Sequence, residues 1–98
     1  METLKDLIYS STPVLVDFYA DWCQPCKTMA SVLLSVKKIQ SDQIRIIKIN
    51  VDKNKSTALK YSIQSIPTLM IFKNGKQLWR QSGVISSNEL NRIIDMFK

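Results

Sequence analysis

Histidine is absent from the 98 residues, and cysteine occurs only twice. A closed structural zinc site takes four Cys or His ligands, so one chain offers half a site at most, and only a metal bridging two copies remains open. Two cysteines three positions apart also do not make a disulfide scaffold, because a bridge between them closes too short a loop to staple a fold. Two glycines and three prolines leave no room for a flexible linker or a low-complexity tract. Long apolar runs are missing too. "PVLV" and "IPTLMIF" fall far below the roughly 18 residues that span a bilayer, so no membrane role is expected. The opening "METLKDLIYSS" has no sustained apolar core of the secretory type, and the expected location is the cytoplasm.

What is present fits one globular domain over residues 1–98, with 45% apolar and 22% charged residues. The net charge of +6 raises the question of nucleic acid. Its lysines and arginines are scattered, however, and the clusters "KK" (37–38) and "KNK" (53–55) lack interleaved aromatics, so no nucleic-acid partner is expected. A diffuse basic surface serves solubility or attracts acidic protein partners.

Hydrophobic spacing sets the elements. Leu4, Leu7 and Ile8 give a short amphipathic helix over 3–10, and the almost wholly apolar "PVLVDFYA" (13–20) reads as a strand buried on both faces. Met29, Val32, Leu33 and Val36 recur at helical spacing, with Pro25 suited to the first turn, so a helix is expected over about 25–39. "IRIIKINVD" (44–52) reads as a second buried strand and "STALKYS" (56–62) as a short helix. "TLMIFK" and "KQLWRQS" flank Asn74–Gly75, a hairpin turn signal. Ser86 and Glu89 form an expected capping box for a last helix. The order α-β-α-β-α-β-β-α implies an α/β protein with a mixed sheet covered by helices on both faces.

Both cysteines fall in "FYADWCQPCK" (18–27), where the first strand's carboxyl end turns into a helix, the edge at which open α/β sheets place chemistry. Cys23 at the helix start faces unsatisfied amides and the positive end of the helix dipole, which favour its thiolate. Cys26, one turn in, is expected to stay protonated until it resolves a mixed disulfide formed by Cys23. Asp17 interrupts the apolar strand, and period-two alternation points it into the core, where a carboxyl is held protonated more readily and can move protons near neutrality. Lys48 is the equivalent oddity among the isoleucines of the next strand. The expectation is that Asp17 takes the proton from Cys26 while Lys48 modulates it.

Together, "VDFYADWCQPCK", "KINVD", "SIPTLMIFKNG" and "SGVISSNEL" resemble the thioredoxin family from about Val14 onward. The resemblance implies a thioredoxin-like fold with Cys23 as attacking thiol, Cys26 as resolving thiol, Asp17 as buried acid and Lys48 as its neighbour. It also implies a cis peptide before Pro67 and a docking surface of Trp22, Ile66, Pro67, Gly83 and Val84. The family's work is reduction of protein disulfides with no bound cofactor, electrons coming from NADPH through thioredoxin reductase, a flavoprotein. Partners are then that reductase and disulfide-containing proteins, with the chain itself a monomer and no metal site. Three departures stand out, one being Ser31 in place of the proline that commonly kinks the active-site helix, so that a straighter helix is expected. Gln24 replaces the usual glycine before Pro25, and this dipeptide tunes the dithiol–disulfide balance. Only twelve residues precede Pro13, so a four-stranded sheet lacking the usual first strand is expected, with an exposed edge.

Other functions remain open on sequence alone: an oxidase or isomerase built on the same pair, or a non-catalytic metal-binding C-x-x-C module.

Overall fold

A computed structural model describes residues 3–98; Met1 and Glu2 of the expected domain lie outside the described residues. The elements run α1 (Leu4–Leu7), β1 (Val14–Tyr19), α2 (Gln24–Gln40), β2 (Arg45–Asn50), α3 (Lys55–Lys60), β3 (Thr68–Lys73), β4 (Lys76–Ser82) and α4 (Ser87–Phe97). The order of elements is as the hydrophobic periods imply. The strands form one sheet in the order β2-β1-β3-β4. β1 is parallel to β2 and antiparallel to β3, and β3–β4 is the hairpin at Asn74–Gly75, with a bulge at Ile71/Phe72.

Alternation along β1 splits the core in two. Leu15 packs beneath α2 and α4 with Met29, Leu33, Val36, Leu90 and Ile94. Val14, Val16 and Phe18 point the other way, toward Ile8, Met70, Phe72 and the half-buried Leu4, Tyr61 and Ile63 around α1 and α3. Helices therefore cover both faces, and the central strand is buried on both.

Two local readings need correction. The stretch 44–52 is not a buried strand. β2 is the sheet's edge, and Arg45 and Lys48 are exposed while its isoleucines are half-buried, because only β1 pairs with it. At α4, Ser86 Oγ does accept the Glu89 N–H at 3.2 Å, but the reciprocal half of the box is missing, since the Glu89 carboxylate pairs with Arg92. The full reciprocal box lies instead at α1, between Thr3 and Asp6.

Gly75 has a structural reason of its own. Its φ is +81°, its N–H donates to the Ile8 carbonyl at 3.1 Å, and a Cβ there would run into the Tyr9 ring. Asn74 N–H donates to Ser10 O at 2.8 Å, so the hairpin tip is docked on the segment after α1.

Candidate functional site

The first turn of α2 is built by the cysteines themselves. Cys23 is the helix N-cap, with extended backbone, and its Sγ accepts the Cys26 N–H at 3.2 Å. Pro25 occupies the first turn, where its missing N–H removes no helical hydrogen bond. The sulfurs are joined as a disulfide, with the Cα atoms 5.2 Å apart. Each cysteine is only 4% exposed, so overall accessibility does not rank one above the other. What separates them is placement: Cys23 sits at the open mouth of the helix, and Cys26 lies within it.

A second element meets Cys23 from across the molecule. The Ile66–Pro67 peptide is cis, and the Ile66 carbonyl oxygen lies 3.8 Å from Cys23 Sγ. In the disulfide state that approach is a contact, because the sulfur has no proton to donate. Pro67 is buried and its carbonyl accepts the Gly83 N–H at 2.8 Å. Gly83 has φ +92° with open space where a side chain would begin, so backbone conformation rather than crowding favours glycine. Trp22 is 71% exposed and Val84 47%, while Ile66 is half-buried. Thus Trp22, Ile66–Pro67 and Gly83–Val84 sit on three loops, of which the Ile66 loop meets Cys23 and the Gly83 loop meets Pro67, with Gln24 and Pro25 exposed on the turn between the sulfurs. Trp22 and Ile66 also share a shallow cavity of about 160 Å³ with Val51, Ile63, Gln64 and Ser65.

Asp17 lies on the face of β1 that α2 covers, two residues beyond Leu15 toward the strand's carboxyl end. It is fully buried, and neither carboxylate oxygen has a hydrogen-bond partner. Burial raises its pKa to about 6, against an opposing pull from the Lys48 charge. Lys48 is its register partner on β2 but makes no ion pair with it. The ammonium sits 4.8 Å from the centroid of the Tyr19 ring, exposed at the edge of the sheet. The pair is therefore adjacent but not joined.

Asp52 was not among the residues singled out by sequence. Its carboxylate accepts the Trp22 indole N–H at 2.8 Å and so orients the exposed ring. Asn50 holds it there by accepting the Asp52 and Lys53 N–H groups at 2.9 and 3.2 Å. The signal lay in "NVD" at the end of β2, an Asx turn that throws the acid back over the preceding strand end. Thr68 was also missed: its fully buried hydroxyl donates to Ser65 O at 2.7 Å and meets Ser82 Oγ at 2.9 Å, tying the proline loop to β4. Among the described residues, no group of three or more Cys, Asp or Glu is placed to hold a metal ion. No helix among the described residues is long and apolar enough to cross a membrane.

A sulfur pair at a helix mouth, faced by a cis-proline loop, is equipped to form and break disulfides. The comparisons agree. The family model "Thioredoxin" matches residues 2–96. The chain is 43% identical to "Thioredoxin 1" of Synechococcus elongatus over 93% of its own length and 85% of that protein's. It is 42% identical to a thioredoxin of Acidithiobacillus ferridurans, with 92% and 83% covered. Among solved structures, the thioredoxin of Fasciola hepatica superposes with a TM-score of 0.87 at 33% identity, covering 97% of this chain and 91% of that one.

Proposed function

Because the chain belongs to the thioredoxin family and is a thiol–disulfide oxidoreductase, we propose that it works as a reductant of disulfides in partner proteins. The carrying observation is Cys23 Sγ at the α2 N-cap, accepting the Cys26 amide and lying 3.8 Å from the Ile66 carbonyl. The amides and helix dipole that stabilise negative charge on Cys23 make it the attacking sulfur.

In the reduced protein, the Cys23 thiolate attacks one sulfur of the substrate disulfide. That bond breaks, the departing substrate thiolate takes up a proton, and a mixed disulfide forms. Cys26 then gives its proton to the Asp17 carboxylate and attacks Cys23 Sγ. The second substrate sulfur leaves as a thiolate that takes a proton from water, and the 23–26 disulfide is the oxidised product. Two electrons have passed to the substrate. With its pKa raised to about 6, Asp17 exchanges protons near neutrality, and the Lys48 charge keeps that value from rising further. The substrate chain lies extended beside Ile66 and Pro67, over Trp22, Gly83 and Val84, and contacts the exposed Gln24–Pro25 turn.

No bound cofactor enters this scheme. Electrons arrive from NADPH through a flavoprotein thioredoxin reductase, and the protein works as a cytoplasmic monomer. Insulin reduction with dithiothreitol tests the redox role: Cys23→Ser is expected to abolish the acceleration, and equal rates would sink the proposal. The 23–26 potential measured against glutathione tests direction. A value near about −270 mV, characteristic of thioredoxins, supports a reductant, whereas one near about −120 mV makes the chain an oxidant.

A further inference from the structure

Arg80 stands on β4, on the face opposite its half-buried neighbour Trp79, and sends its guanidinium to the end of α3. Nη1 donates to the Tyr61 carbonyl at 2.6 Å and Nη2 to the Ser62 carbonyl at 2.9 Å. Tyr61 is the C-cap of α3 and Ser62 follows it, so both carbonyls lie just past the negative end of the helix dipole. A planar fork matches two consecutive carbonyls in a way that a point charge does not. Ser62 has φ +54°, so the chain leaves α3 through a left-handed residue that is not glycine, a conformation needing support from its surroundings. Neither of the two ion pairs among the described residues, Arg92–Glu89 and Lys98–Asp95, involves Arg80.

The segment that follows is the loop facing Cys23. Its far end is also fixed from β4, through the Thr68–Ser82 hydroxyl pair holding Ser65 O and through Gly83 N–H on Pro67 O. One strand therefore grips the loop at both ends, with Ile63, Gln64, Ser65 and Ile66 suspended between beside Trp22. We propose that Arg80 is a positioning residue, which sets the 61–66 backbone so that Ile66 is presented in register to the substrate chain. It touches neither sulfur and acts through the loop. The inference rests on the reading that this loop docks protein substrates.

The test uses Arg80→Met, which keeps the apolar stem, and Arg80→Lys, which keeps one charged donor. For Arg80→Met, KM for insulin is expected to rise about fivefold with kcat unchanged, since binding register is lost and chemistry is not. The reduced protein's rate with a small aromatic disulfide, which needs no docking strand, is expected to hold within about twofold. Amide exchange at Ile63–Ile66 is expected to quicken about tenfold while β1 amides keep their protection. Arg80→Lys should recover part of both losses, and it carries the test if Arg80→Met does not fold. An unchanged KM or unchanged loop exchange overturns the proposal. So does a parallel slowing of both substrates with loosened β1 amides, which would make Arg80 merely structural. Pro67→Ala separates the two ideas. If it too leaves KM unchanged, the docking reading fails; if it raises KM while Arg80→Met does not, only the role of Arg80 falls.

Discussion

Replacing Asp17 with asparagine should stabilise the protein, and by an amount that depends on pH. The carboxyl is fully buried with no hydrogen-bond partner for either oxygen, and its pKa is raised from 3.8 to about 6 by loss of solvation. Between those two values the folded state holds a proton that the unfolded state has released, so stability falls as pH rises through the window. Below 3.8 both states are protonated and no penalty exists; above about 6 both are ionised and the penalty is complete. At 1.36 kcal/mol per pH unit, the gap corresponds to about 3 kcal/mol. Asparagine has nearly the same shape and never ionises, so the difference between variant and wild type isolates this charge. Urea unfolding of both oxidised proteins from about pH 3.5 to 8 should show a small, constant difference at the acid end. That difference should then grow by about 3 kcal/mol in favour of Asp17→Asn and level off above pH 6. A difference that stays flat from pH 4 to 7 would refute the reasoning, because the carboxyl would then be solvated or paired in the folded state.

Other perturbations follow from the same structure. Gly75→Ala should lose about 1–3 kcal/mol in denaturant unfolding, from its positive φ and the Tyr9 ring, and Tyr9→Ala in the same chain should restore part of that loss; full stability of the single variant would contradict the docked hairpin. Leu90→Ala, at a fully buried site between α4 and the sheet, should cost about 2–5 kcal/mol, with a loss below 1 showing that the α2–α4 core is not packed as described. Asp52→Ala frees the Trp22 indole and should lower kcat/KM for insulin about threefold while changing unfolding free energy by less than about 1 kcal/mol, since the bond is exposed.

Most of what places the site was legible from local rules. Pro25 in a first turn, the 3.6-residue recurrence of Met29, Leu33 and Val36, and Asn74–Gly75 between two alternating runs each specify their element without reference to the rest of the chain. Asp17 was visible because a carboxyl in an apolar strand contradicts its surroundings. The edge position of β2 was not legible in the same way, because strand order is decided by pairing across the chain. The run of isoleucines that suggested burial covers the flank of a sheet whose outer hydrogen bonds face away from the core. Residues that act through distant partners were the hardest to see. Asp52 finds Trp22 30 positions away, and Arg80 finds Tyr61 and Ser62 on another element; the "NVD" turn marks where Asp52 folds back but not which side chain it meets, and nothing about an arginine on an edge strand announces its partners. Glu89 shows the reverse, a local motif satisfied by half because a neighbouring arginine competes for the carboxylate.

Cys23, the N-cap sulfur, is the one that opens the exchange. Reduced protein carrying Cys26→Ser or Cys23→Ser, each with a single thiol, should be alkylated with iodoacetamide at neutral pH and followed by mass. Cys23 is predicted to react at least about tenfold faster than Cys26, and to trap a substrate disulfide as a stable mixed adduct that Cys26 alone does not form. Equal rates, or a faster Cys26, would contradict it.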